Sequence, residues 1–436
     1  MVRAAHGVRA SAADSCIRCG TSLETRRGVK LVAVALVGAL AAPASADEVL
    51  PRPLRVPDVV SIARSRRAEI TAARARARAA AQRPAIVSAL EDPTVSLSID
   101  HVPFNGMGLD YSVSFQQTFP LSRVRGHRER AARAAARREQ ASSERIALDV
   151  ELDAAQAFWM LAEARATADI TAQQAALADQ LVKAATARYA ANMGTQSDVL
   201  RAQIEVARLE AERKATAAET RAAEVMLNTS LARDPALPIP ELDVAVSDAL
   251  PPDAELVARA SQARPELRAG TAEIEQAEAE VRVMKSMYAP MAMIQTGPAS
   301  TMQEGLGWMA MVGVSIPLWR GKLSAGVAEA TAMVDMARAD LEAMRRMAEG
   351  QARSARETVA AARVRFIALR DDVVPRAEQA IAPTLAAYSA GQVPLVSVLE
   401  AAQALWAAQR DLVMARVALG LARARLERAS AQEITR

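Results

Sequence analysis

Short stretches of the chain alternate apolar and polar residues with a period of two. Val95, Leu97 and Ile99 alternate with Ser96, Ser98 and Asp100; after a break at Pro103 to Gly108, Leu109, Tyr111, Val113 and Phe115 alternate with Asp110, Ser112, Ser114 and Gln116. One apolar and one polar face suits a strand between lipid and water, and equally a hairpin lying on a soluble core. Helical stretches surround these strands. Asp58 to Arg83 is Ala/Arg-rich with Pro57 just before it. From Leu121 to Asp234 there is no proline, and after Gly126 the only glycine is Gly194. The usual breakers are therefore missing, which predicts helices over about 123–189 and 196–232 joined at Ala190–Thr195. At 1.5 Å per residue the first would reach roughly 100 Å, more than a globular domain needs.

The same plan then returns. Pro93 and Pro120 stand 27 residues apart, as do Pro290 and Pro317, at a shift of 197. Phe119-Pro120-Leu121-Ser122-Arg123 recurs as Ile316-Pro317-Leu318-Trp319-Arg320. Tyr189, Asn192, Val199, Leu200 and Ala202 match Tyr388, Gly391, Val398, Leu399 and Ala401 at a shift of 199. Such self-similarity marks two repeats. The second opens with a helix over Pro252 to Ser286, interrupted near Arg264-Pro265, and repeats the long helix from Gly321 to Tyr388. That helix is predicted to kink at Pro375 and Pro383, to turn at Ser389–Pro394, and to be followed by a closing helix to about Ala431. The proline-rich run Pro235 to Pro251 connects the halves.

The N-terminus changes what the composition means. Arg26, Arg27 and Lys30 precede an apolar run from Leu31 to Ala42, followed by Ala44-Ser45-Ala46. This is the order of a secretory signal peptide, and the run is short for a membrane span. Residues 1–46 are read as the signal peptide, with those before Arg26 a non-native extension. They hold six Lys/Arg and two Asp/Glu, so the net charge of +4 leaves with them. A neutral remainder has no general electrostatic case for nucleic acid. Cys16 and Cys19 leave too, and with them any disulfide or thiol chemistry. The domains expected are therefore residues 1–46, a first repeat over 47–240 and a second over 241–436. Aromatics make up only 3% of the chain, which favours long helices in close contact over one bulky core.

Two hairpins give four strands, and four strands cannot close a barrel in lipid, where open edges are not tolerated. If the strands are membranous, several copies must share the barrel. An enzyme is disfavoured, because G-x-S-x-G, phosphate-loop and H-E-x-x-H motifs are absent and only His101 and His127 follow the leader. A periplasmic adaptor or coiled-coil scaffold of an export system is the alternative, although adaptors usually carry one helical hairpin between β-rich domains.

The signal peptide, the repeat, the Phe119-Pro120-Leu121 joint, the Tyr-x-x-Gly-like turns followed by Val-Leu-x-Ala, and Arg264-Pro265-Glu266-Leu267 together resemble the TolC family of outer-membrane efflux channels over about residues 58–430. The resemblance implies a mainly α fold with a membrane β-barrel part. Each repeat would be a strand hairpin plus a long helical hairpin, and the trimer a twelve-stranded barrel on an α-helical periplasmic tube. It also implies location in the outer membrane of a Gram-negative bacterium, a periplasmic adaptor and an inner-membrane pump as partners, and neither cofactor nor catalysis.

The resemblance also places a periplasmic gate. Asp198 matches a position that helps hold the closed tip together, and Tyr388 and Glu400 match an aromatic gating position and an acidic ring; Tyr189 is the first-repeat counterpart of Tyr388. Val393 and Ser397 depart from the family, standing where a basic residue and an acid are found. For Asp198 the competing reading is a helix N-terminal carboxylate satisfying free N–H groups. For both tyrosines it is packing between helices. The residues themselves raise one further candidate. Eleven of the seventeen methionines fall between Met284 and Met347. At the shift of 197, Met291, Met293, Met309 and Met311 take the parity of Thr94, Ser96, Ser112 and Ser114, the polar face. Thioether sulfur suits Cu(I) and Ag(I), which makes these four a candidate metal lining. Methionine is also an apolar filler, and Met333, Met336, Met344 and Met347 look like a packing stripe.

Overall fold

The computed structural model describes residues 50–101, 110–247, 250, 252–301 and 303–432, with the backbone alone at 100 and 101. The leader, both cysteines and the Pro103–Gly108 break lie outside the described residues. The first half runs α1 (Val56–Arg66), α2 (Ala68–Ser88), β1 (Thr94–His101), β2 (Asp110–Pro120), α3 (Val124–Ala190) and α4 (Gln196–Ser230). The second runs α5 (Asp253–Ala263), α6 (Pro265–Ser286), β3 (Met291–Thr301), β4 (Gly305–Ser315), α7 (Arg320–Ala368), a π-helical turn (Leu369–Val373), α8 (Val374–Ser389) and α9 (Leu395–Ala429).

The turns between long helices repeat in detail. After α3, Met193 N donates to Arg188 O at 2.8 Å and Asn192 N to Tyr189 O at 3.0 Å; after α8, Gln392 N donates to Ala387 O and Gly391 N to Tyr388 O, both at 2.9 Å. This double bond pattern stops a helix with one left-handed residue, here Asn192 at φ 56° and Gly391 at φ 78°.

One expectation needed correction. The helix expected over Asp58 to Arg83 is two helices broken at Arg67, whose φ/ψ of −61°/125° matches −63°/126° at Arg264. In the second half Pro265 forces the preceding residue out of the helical region, whereas Ala68 gives no such signal in the first. Helix α2 also continues through Pro84 to Ser88. Near Pro375 the long helix widens into the π turn. The shift between halves is 197 at the strand–helix joint and 199 at the helix turn, so the second half holds two extra residues along this helix. A π turn is the usual way for a helix to absorb an insertion.

The four strands form one antiparallel sheet in the order β1-β2-β3-β4. Strands β2 and β3 join the halves, with Tyr111 opposite Ser300 and Pro120 opposite Met291. A β-carbon on Gly297 would lie 1.9 Å from Val113 O, so only glycine permits this approach. The helical layers pack around α3, where Phe158 and Trp159 make an edge-to-face pair at 5.4 Å and are both buried. A β-carbon on Gly420 of α9 would meet the Trp159 ring at 2.2 Å, so the glycine is the notch that receives the indole.

Candidate functional site

Two regions carry the candidate residues. At the helix turns, Tyr388 packs with Leu181, Ala185, Ala202, Leu395 and Val398 and is 2% exposed. The Arg188 guanidinium stacks 4.5 Å from the centre of its ring, donates to Tyr388 O, and donates to Met193 O at 2.9 Å. One arginine of the first repeat thus ties both turns together. Burial pushes the Tyr388 hydroxyl up, Arg188 opposes this and Asp198 adds to it. Asp198 itself makes a reciprocal cap with Thr195: Thr195 N donates to Asp198 Oδ2 and Asp198 N to Thr195 Oγ1, each at 3.2 Å. The helix-start reading of Asp198 therefore holds in the single chain. The structure brings Arg188, Tyr388 and Asp198 together. Tyr189 is 48% exposed and Glu400 is also exposed, with no side-chain hydrogen bond or ion pair for either among the described residues.

The sheet is the second region. Met293 faces Gly313, Gln295 faces Met311 and Gly297 faces Met309; Thr118 faces Met293 and Gln116 faces Gln295; Ser96 and Ser98 face Ser114 and Ser112. Directly paired residues project to the same side, so all four methionines share the face of the serines, threonines and glutamines. That face is knitted by Ser96 Oγ to Ser114 Oγ at 2.8 Å and Gln295 Nε2 to Ser114 Oγ at 2.9 Å. Met293 leans into the space left by Gly313, its Cε 2.9 Å from where a β-carbon would stand. The opposite face is apolar and bare: Val95 and Leu97 are each 69% exposed, Trp308 73% and Val312 74%. A contiguous exposed apolar face of this kind marks contact with a membrane or another protein.

Sequence reasoning missed Arg188 and one half-buried ion network. Arg428 of α9 reaches Asp149 of α3 at 2.7 Å and Glu266 of α6 at 2.6 Å, while Arg264 lies 3.5 Å from Glu266 and donates to Gln351 of α7 at 2.8 Å. The Arg-Pro-Glu-Leu segment thus owes its charges to a junction of four helices. Burial works against the Glu266 carboxylate, but the Arg428 hydrogen bond, its own backbone N–H and both arginine charges hold its pKa below the usual range. Among the described residues no three His, Cys, Asp or Glu side chains gather as a metal site, and no helix is long and apolar enough to cross a membrane.

Long helical hairpins surmounted by a sheet with one apolar and one polar face define a mainly helical fold of the TolC-like channel type. Residues 256–432 match the family described as outer membrane efflux protein, a transport and not an enzyme family. The fold is similar to that of the outer-membrane channel OprN, at 20% identity over 86% of this chain and 89% of that one with a TM-score of 0.75. VceC of Vibrio cholerae is similar at 18% identity, 86% and 96% coverage and a TM-score of 0.73. CusC, whose structures concern folding and transmembrane channel formation, is similar at 15% identity, 86% and 91% coverage and a TM-score of 0.75. These identities bear on fold alone. No curated protein matches the chain.

Proposed function

We propose that the protein is the outer-membrane channel subunit of a tripartite efflux system, with its helices in the periplasm. The observation that carries this is the sheet: one face apolar and bare, the other polar, with β1 and β4 at open edges. Lipid does not accept unpaired strand edges, and the smallest barrels have eight strands. Three copies, each giving the hairpins of repeats 47–240 and 241–436, would close twelve strands with β4 of one copy against β1 of the next. A periplasmic adaptor and an inner-membrane pump would load the tube, and the pump would supply the energy. Fractionation and crosslinking test this: heat-resistant trimers in outer membranes are expected, and a soluble monomer would return the reading to an adaptor or scaffold.

In this reading the helix turns lie at the inner aperture, where Asp198, Glu400, Tyr189 and Tyr388 form the gate. Three symmetry-related copies of Glu400 around a narrow pore favour cations. Single-channel recordings of Glu400→Ala should show weaker cation preference and weaker block by trivalent cations; an unchanged preference removes Glu400 from the aperture.

A second reading concerns cargo. Four methionines on the polar face, twelve in a trimer, offer soft thioether contacts suited to passage of Cu(I) or Ag(I). Replacing Met291, Met293, Met309 and Met311 by Leu keeps volume at a cost under about 1.5 kcal/mol each. Copper or silver tolerance should fall while export of an organic compound persists. Water-soluble thiol labelling of Met309→Cys and not of Ala310→Cys checks the face; labelling at 309 with unchanged metal survival removes the ligand role.

A further inference from the structure

The apolar face does not stop at the last strand residue. Past the end of β4 the exposed apolar residues Ile316, Leu318 and Trp319 follow, at 67%, 75% and 79%, and past β2 Leu121 at 60%. Cations follow at once: Arg123 after Leu121, and Arg320 and Lys322 after Trp319. Arg123 and Arg320 stand at equivalent positions, 197 residues apart. Strands β2 and β4 run in the same direction with β3 between them, so the two arginines emerge at one rim, past strands that lie about 10 Å apart at ordinary spacing. All three side chains are exposed, and none has an ion-pair or hydrogen-bond partner among the described residues.

We infer that this rim is a docking surface for anionic phospholipid headgroups, with Trp319 and Leu121 at the level of the lipid ester groups and Arg123, Arg320 and Lys322 on the phosphates. The inference rests on the outer-membrane reading and adds a lipid class to it. Three observations favour lipid over an acidic protein. The cations continue an apolar face and do not stand alone. The indole is at the boundary between apolar and charged residues, where aromatic side chains anchor membrane proteins. And the distance fits: β4 from Gly305 to Ser315 covers ten residue steps, about 34 Å along the strand and about 26 Å at the usual tilt, close to the apolar band of about 25 Å on outer-membrane barrels, with Leu318 and Trp319 just past its end. Arginine charge also reaches the start of α3, while Glu91 and Asp92 are the carboxylates just before β1 at this end of the sheet. His127, four residues into α3, is held below its ordinary pKa by burial and then by Arg130, Arg282 and Arg123.

Tryptophan fluorescence tests the rim in the full channel. Trp159 and Trp406 are buried at 3% and 4% exposure, so Trp308→Phe leaves Trp319 as the exposed reporter. The Trp308→Phe protein is reconstituted into vesicles of phosphatidylcholine mixed with phosphatidylglycerol, one lipid or the other brominated so that it quenches indole on contact. One cation near an anionic surface contributes about fivefold. Quenching should therefore show a preference for phosphatidylglycerol of at least about fivefold, and the added changes Arg123→Gln, Arg320→Gln and Lys322→Gln should bring it to about one. Arg123→Lys with Arg320→Lys should keep it. Salt should weaken it in the Trp308→Phe protein, so the rim remains testable even where the glutamine variant does not assemble. Equal quenching by both lipids, or a preference untouched by salt and by the glutamine changes, overturns the rim. Quenching by neither lipid is a different result: Trp319 then meets no bilayer, and the outer-membrane reading itself fails.

Discussion

Substituting Gly420 by Ala tests the contact between α9 and α3 without touching a charge or a loop. In an open helix position this change stabilises by about 1 kcal/mol, because alanine is the better helix former. Gly420 is not open. Its new β-carbon would stand 2.2, 2.4 and 2.7 Å from three atoms of the Trp159 ring, where carbon contacts settle near 3.5–4.0 Å. The indole or the helix must move by more than 1 Å, and overpacking of this kind costs about 1–3 kcal/mol. Taking the upper end and subtracting the propensity gain leaves a net destabilisation of about 2 kcal/mol. The assay is chemical unfolding of the purified protein in detergent, followed by helical circular dichroism. Trp159→Phe provides the second leg of a double-mutant cycle. A smaller ring frees the space, so the two changes together should cost clearly less than their sum. A Gly420→Ala protein more stable than its parent, or strict additivity with Trp159→Phe, would refute the notch.

Two further outcomes follow from buried charges. Burial, partly offset by Arg423, pushes Glu427 up to about 7, so between pH 4.5 and 7 the folded chain holds a proton that the unfolded chain has released, and stability should fall as pH rises through that window by up to about 3 kcal/mol. Glu427→Gln should flatten this part of the unfolding-midpoint profile; an unaltered slope excludes Glu427 as its source. Arg428→Ala leaves Asp149 and Glu266 without their shared cation, which should cost about 1–2 kcal/mol in the same unfolding assay because Asp149 is half exposed and each acid keeps a second arginine, and a loss within a few tenths would mean that water replaces the arginine freely.

Much of the fold was legible because breakers are absent over long stretches. Without proline and almost without glycine from Leu121 to Asp234, little but a helical hairpin was open to the chain. The break at Arg67 was not legible, since its cause in the second half, Pro265, has no counterpart in the first. Strand alternation identified two faces, but the pairing of β2 with β3 is a tertiary choice that no local pattern encodes. Among candidate residues, Asp198 was read either as a gate residue or as a helix N-terminal carboxylate, and it makes the cap with Thr195. Arg188 went unnoticed because it breaks the repeat: the residue 199 positions on is Ala387. Where two halves of one chain must touch, they need different residues at matching positions, so the mismatch itself was the signal available.

The β2–β3 seam sets a schedule for the making of this protein. Its partners lie between 171 residues apart, at Pro120 and Met291, and 189 apart, at Tyr111 and Ser300. At ordinary synthesis rates of about 5–20 residues per second, the first hairpin exists for roughly ten seconds or more before its neighbour has been made. Helices α3 and α4, which pack on each other, can form during that wait. The first hairpin cannot finish, and it keeps a bare apolar face and an unpaired edge in water throughout. The nascent chain therefore needs a holder for its earliest strands, and a stall anywhere in the α4 to α6 stretch prolongs the period when copies are most prone to stick to one another.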